Sequence, residues 1–342
     1  MSRTRLPRAA AAVLIPTLNE ATALPRLLHD LAQQQGVVLE VLVADGGSSD
    51  LTTAIARRAR ARVVAGPRGR GAQLNAAAAA ASAPWLICLH ADSRLLHPRQ
   101  LALALTALRQ ARRRNALVAG HWPLRFVREQ PGHDALFRHL EAKSASNRPG
   151  TVNGDQGLVL HRDTLKALGG FDESLPFFED QRLAAKVFAQ GRFLLLPGVI
   201  ETAARRFEAE GHAPRMALMA LIVGAEAAGL HNWLASLPGL YREQRHTERL
   251  QVAPFVDSLL AHIATLPTAQ QRRVWQQAAA LVSGNAWQLA QWLEAQQPQG
   301  RWLSRFDELL APFAESALTR SALSLALPRL LRVLARLEPR FG

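Results

Sequence analysis

Apolar residues in the first hundred positions repeat with two different periods. AAAVLIP at 10–16, VLEVLVA at 38–44, ARVVA at 61–65 and WLICLH at 85–90 are short, largely apolar runs with β-branched residues, the pattern of strands buried on both faces. Between them, ATALPRLLHDLAQQQ at 21–35, residues 49–60 and AQLNAAAAAAS at 72–82 place apolar residues at helical spacing; the first stops at Gly36 and the last before Pro84. Four strands alternate with three helices, which predicts a mostly parallel sheet flanked by helices on both faces. From about 213 onward only helical periodicity remains. RMALMALIVGAEAAGL at 215–230 is followed by the charged connector REQRHTER at 242–249, and then by helices expected at 252–265, 268–296, 301–319 and 321–338. The expected division is an α/β domain over 1–240 and an all-α C-terminal extension over 241–342. Trp275, Trp287 and Trp292 fall on one broad helical face, where core packing is expected.

With 342 residues, 49% of them hydrophobic, the chain can bury a full core. The 215–230 run is short for a membrane span of ~20 residues and Glu226 interrupts it. No transmembrane segment is expected, although an amphipathic face with basic flanks leaves room for peripheral membrane contact. The start, MSRTRLPR, is basic but leads straight into PTLNE without a cleavage-site pattern, so no signal peptide is read. Cys88 is the single cysteine, which excludes an intramolecular disulfide and fits a cytoplasmic setting. A net charge of +14 biases the chain toward anionic partners. A basic nucleic-acid-binding protein is the alternative of different class. Only 6% of residues are aromatic and no helix-turn-helix, zinc-finger or RNA-recognition pattern is present, so no nucleic-acid partner is expected. A phosphorylated small molecule suits the charge better.

Four turns carry candidate chemistry. Asp45 in VADGGSSD ends a buried strand before two glycines; its carboxylate can receive a base or ribose, or it can cap the next helix, a task open to Ser48 and Asp50 as well. RGRGAQLN at 68–75 opens a helix, so backbone N–H groups with Arg68 or Arg70 can face an anion. LHADS at 89–93 ends the fourth strand, where Asp92 is a hard oxygen ligand for a divalent metal bridging a diphosphate and His90 is a borderline ligand beside it. In FFED at 177–180, Glu179 and Asp180 start a helix after two phenylalanines. One of them can be a partly buried general base, or both can simply complement the helix dipole.

Taken in order, PTLNE, the strand-end aspartate, RGRGAQLN, the aspartate turn and the ED pair over 13–207 resemble the GT-A catalytic domain of family 2 glycosyltransferases. The resemblance implies a Rossmann-like GT-A fold, a UDP-sugar donor, a divalent metal (Mg2+ or Mn2+) and inversion at the anomeric carbon. It implies that Pro16, Thr17 and Glu20 line the nucleotide pocket and that Asp45 and Gly46 lie near uracil or ribose. Arg70, Gln73, Ala91, Asp92, Asp155 and Gln156 are implied as further donor-binding residues. Asp180, with Glu179, would be the base, and Asp92 with His90 would hold the metal. Gly46 stands where many relatives carry a second aspartate, and His90 replaces the first aspartate of the metal turn.

HADS, NGDQG, FFED and TAARRFEAEG at 202–211 look like the bacterial branch that includes the selenosugar synthases of selenoneine biosynthesis. That resemblance implies transfer of N-acetylglucosamine from UDP-GlcNAc to the selenium of selenophosphate, then loss of phosphate. Selenophosphate is already an anionic nucleophile, so Asp180 would position more than deprotonate; a hydroxyl acceptor, glycan or lipid-linked, is the alternative and needs a base. Arg205 and Arg206 are candidates to clamp phosphate oxygens, with one of the two expected to face the site. His212 is weighed as a further metal or diphosphate contact in an exposed loop. The C-terminal helices are expected to cover the acceptor side or to meet a second subunit in a homo-oligomer.

Overall fold

The computed structural model describes residues 9–174, 177–244 and 249–337; the basic start and positions 245–248 of the charged connector lie outside them. Two compact units emerge, Met1–Val127 with Leu140–Ala203 and Arg128–His139 with Ala204–Gly342. This division falls after Ala203, whereas the sequence reading divides at 240.

Among its described residues the first unit carries ten strands: β1 Ala11–Thr17, β2 Leu39–Asp45, β3 Arg62–Ala65, β4 Trp85–Cys88, β5 Arg94–Leu95, β6 Val118–His121, β7 Leu124–Val127, β8 Leu158–His161, β9 Arg192–Leu195 and β10 Ile200–Ala203. Its helices are α1 Leu24–Ala32, α2 Thr52–Arg58, α3 Arg70–Ala80, α4 Gln100–Arg112, the end of α5 Asp134–Ala145, α6 Arg162–Ala167 and α7 Glu179–Gln190. The main sheet has the order β3-β2-β1-β4-β8-β6-β9, and a smaller one the order β5-β10-β7. In the main sheet β1 lies between β2 and β4, parallel to both, with all seven of its residues buried. Alternation sorts them into two layers. Ala11, Val13 and Ile15 meet the leucines of α1 and α4, and Ala12 and Leu14 meet α3, α6 and α7.

The expected mostly parallel sheet is therefore present, with helices on both faces, but β8 runs antiparallel between β4 and β6. That reversal places the site. Cys88 pairs with Leu158, so the residues leaving β4 lie beside those entering β8. The rim at which β1, β2 and β4 end thus also receives the GDQG turn.

The second unit is helical: α8 Arg205–Glu210, α9 His212–Ala227, α10 His231–Glu243, α11 Ala253–Ala264, α12 Thr268–Gly284, α13 Trp287–Gln296, α14 Trp302–Arg305, α15 Ala311–Ala314 and α16 Ala317–Leu337. Two helices differ from expectation. The 268–296 run breaks at Asn285, whose amide side chain bonds back to the Leu281 carbonyl at 2.9 Å and ends α12. The 301–319 run is interrupted by a π-helical turn, Phe306–Leu310. Trp287 is in the core as expected, but Trp292 is 42% exposed. Among the described residues no helix is long and apolar enough to cross a membrane.

Candidate active site

The carboxyl-terminal ends of β1 and β2 are stitched by their own side chains. Thr17 and Asp45 are register partners, and the Thr17 hydroxyl lies 3.4 Å from Asp45 Oδ1. Asp45 Oδ2 accepts the N–H groups of Gly47 at 3.0 Å and Ser48 at 2.9 Å, folding VADGGSSD into a tight turn. Asp45 is 8% exposed; burial is the largest influence and opposes ionisation, but bonds from Ser48, Gly47 and Thr17 outweigh it and hold the carboxyl below its ordinary range. Asp50, rather than Asp45, receives the Thr52 N–H at 2.9 Å at the start of α2. Asn19 and Ser49 tie the loop after β1 to the loop after β2, and the Glu20 N–H donates to the Thr52 hydroxyl at 2.8 Å. Pro16 is buried in the same strand end.

Helix α3 joins this rim to the acidic side of the site. Gln73 is buried, and its Nε2 donates to the carbonyls of Thr17 at 2.8 Å and Ala44 at 2.7 Å, holding the two strand ends together. A Cβ at Gly46 would stand 3.1 Å from that nitrogen, so glycine lets the turn close on Gln73. One turn earlier on the same helical face, Arg70 follows Gly69, whose φ of +128° suits glycine. Arg70 Nη1 is 3.7 Å from Glu179 Oε1. Burial opposes the arginine's charge, but Glu179, Asp180, Asp155 and Asp92 together outweigh it and hold the proton more firmly than usual.

The remaining carboxylates are fixed from α7 and the turn before β8. Phe178, at φ +74°, turns the chain into α7. Glu179 is 2% exposed, and burial foremost, then Asp180, raises its carboxyl above the ordinary range against the pull of Arg70 and His90. Asp180 accepts the Gly154 N–H through Oδ2 and the Gln181 N–H, at 2.7 Å, through Oδ1. His90 Nδ1 is 2.8 Å from Asp155 Oδ1, and a Cβ at Gly154 would stand 2.6 Å from His90 Nε2. Ala91 is buried and Asp92 half-buried beyond it. Gln156 is buried, with Nε2 donating to the Thr151 carbonyl at 2.6 Å, so its amide braces the turn.

Candidate residues from six segments thus share one rim of the first unit. Arg205 and Arg206 instead open α8 in the second unit, both exposed. His212 also lies there, half-buried at the start of α9 and not in an exposed loop; its ring stacks on His133 at 3.7 Å, and burial first, then His133, lowers its pKa. One residue that the sequence reading quoted but left without a role is Asn75, whose side chain bonds both the carbonyl and the N–H of Phe171, at 2.9 and 3.0 Å, and so holds the start of the chain segment leading to FFED. Its place on α3, one turn beyond Gly71, is the signal. Two surface hollows, one lined by Ala10, Gly36 and Arg99 and one by Ser82, Pro84 and His161, lie at the opposite edge of the sheet and share no residue with the rim.

A divalent metal would find Asp92 here, but His90 already spends Nδ1 on Asp155. Among the described residues no group of three or more His, Cys, Asp or Glu side chains is placed to hold an ion by itself. The electrostatics nevertheless suit a cation. Four carboxylates surround the Arg70 guanidinium, an excess of negative charge that an anionic diphosphate would meet unfavourably unless it brought a cation with it.

Residues 12–157 match the family model for glycosyl transferase family 2, a match that gives this part of the chain the enzyme class of a glycosyltransferase. No curated protein matches the chain. Similar solved structures include S. aureus TarS 1-349 in complex with UDP-GlcNAc, 16% identical over 87% of this chain and 91% of that one, with a TM-score of 0.48. The mannosyltransferase PcManGT from Pyrobaculum calidifontis, in complex with GDP-Man and Mn2+, is 19% identical over 98% of this chain and 85% of that one, with a TM-score of 0.45.

Proposed function

We propose, taking the glycosyl transferase family 2 match over residues 12–157 as the premise, that the protein is an inverting glycosyltransferase with a UDP-sugar donor, UDP-GlcNAc, and selenophosphate as acceptor. The observation that carries this reading is the convergence of Arg70, Asp92, Asp155, Glu179 and Asp180 at the rim that Asp45 and Thr17 close. Uracil and ribose fit against the Asp45 turn, whose exposed Gly47 leaves the backbone open to a ligand. Asp92 would hold a divalent cation jointly with the donor phosphates, and that cation supplies neutralisation of the departing diphosphate. Arg70, fixed by Glu179, adds a second positive charge that needs no reorganisation during transfer.

In the transfer itself, the selenium lone pair forms the bond to the anomeric carbon while the bond from that carbon to the β-phosphate oxygen breaks, and UDP leaves with the electron pair. Water then takes the phosphoryl group as the Se–P bond breaks, leaving a selenosugar. Selenophosphate needs no proton removed, so Asp180 acts on geometry: through the Gly154 N–H it fixes the turn bearing Asp155, and Asp155 fixes His90. A cytoplasmic setting, where UDP-GlcNAc is made, fits this reading.

Incubation with UDP-GlcNAc, selenophosphate and Mg2+, followed by mass spectrometry, is expected to give a selenium-bearing hexosamine. Transfer to a sugar hydroxyl with no selenium product would replace the acceptor and keep the enzyme class. UDP-GlcNAc left intact with every acceptor would remove the donor.

A further inference from the structure

The last helix exposes a surface that the catalytic reading does not use. α16 packs within its own unit against α11 and α12, with Leu323, Leu327 and Leu331 half-buried. Stepping by three and four residues along the other face come Leu318, Ala322, Leu325, Arg329, Arg332 and Arg336, all exposed, so they form one stripe. Leu318 is 84% and Leu325 72% exposed, and the segment just before the helix adds Phe313, 73% exposed, with Leu309 and Leu310. Large apolar side chains left in water at this density mark an interaction surface.

Charge selects the partner. α16 carries Arg320, Arg329, Arg332 and Arg336 and no Asp or Glu over its whole length. A second copy of the same helix brings no carboxylate of its own to pair with these guanidinium groups. An anionic lipid surface satisfies both halves of the stripe: leucines enter the headgroup boundary, and the arginines lay their aliphatic stems along it with the guanidinium groups at the phosphates.

We infer that α16 is a peripheral docking helix for anionic membranes, lying on the surface and not crossing it. The test uses the 342-residue chain and sedimentation with vesicles of phosphatidylcholine alone or of equimolar phosphatidylcholine and phosphatidylglycerol. Binding is expected to the mixed vesicles only and to weaken as salt rises. Arg329→Gln with Arg332→Gln is expected to weaken it, by roughly fivefold per arginine, and Leu325→Ser to weaken it independently. Both sites are exposed, so circular dichroism and UDP-sugar turnover in solution are expected to stay as in the parent. Failure to sediment with the mixed vesicles, or equal binding by the arginine variant, overturns the assignment. So does a dimeric mass by light scattering that Leu325→Ser reduces to a monomer, because a second copy would then own the face.

Discussion

Two neighbouring carboxylates at the start of α7 are held in opposite ways, and their substitutions separate their roles. Asp180 is bonded through both oxygens to backbone N–H groups, an arrangement that asparagine keeps in part. With selenophosphate, Asp180→Asn is expected to lower kcat by less than about tenfold, whereas with a hydroxyl acceptor the loss of a base would be about 10²–10⁴-fold; steady-state kinetics with each acceptor decides. Glu179 is buried with its carboxyl raised above the ordinary range, chiefly by burial. Between its unfolded and folded pKa values the native state binds more protons than the unfolded one, so stability from this group falls as pH rises through that window. Glu179→Gln removes that fall. Its melting temperature is expected to gain on the parent between about pH 4 and pH 7, while turnover drops roughly tenfold as Arg70 loses its closest carboxylate. Melting curves at both pH values and one rate measurement check the pair. A variant that lost ground on the parent as pH rose would show that the charge of Glu179 is worth more than its burial costs.

At the scale of elements, the site depends on an antiparallel strand reaching a parallel rim. β8 delivers Gly154 and Asp155 beside His90, residues 65 positions apart in the chain. A Cβ at 154 would stand 2.6 Å from His90 Nε2 and 3.0 Å from Asp180 Oδ2, so a larger residue there must displace these side chains. Gly154→Ala is therefore expected to cost about 1–3 kcal/mol by overpacking and to lower turnover by about 10²-fold through misplacement of the turn. Denaturant unfolding and kinetics on one preparation measure both, and unchanged values for both would remove this contact from the site. The strand-end turns were legible because each follows a long apolar run and contains glycine. The order around β8 was not, since β6, β8 and β9 are four-residue strands, too short for a periodicity that distinguishes neighbours. Gln73 shows the same limit at a single side chain: the family resemblance implied a place along the donor, but its two bonds to strand carbonyls depend on tertiary contacts that no local pattern encodes.

At the scale of the whole molecule, a net charge of +14 surrounds a site whose carboxylates outnumber its cations. On the proposed reading the general field attracts an anionic donor, and the site admits it with a divalent cation as company. Positive charge by itself suits nucleic acid as well; the lack of any recognition pattern in the sequence argues against that partner. The break in the 268–296 run and the exposed Trp292 show why the second unit was harder to read, because a helical face says that a residue is amphipathic without saying what will cover it. Calorimetric titration of UDP into the parent and Asp92→Asn proteins, with Mg2+ and with chelator, addresses the rim site most directly. A UDP site at this rim predicts Mg2+-dependent binding by the parent and at least about tenfold weaker binding by Asp92→Asn, as expected when one ligand of a metal-bridged diphosphate is lost. Binding of UDP that is indifferent both to Mg2+ and to Asp92, or no binding at all, would contradict it.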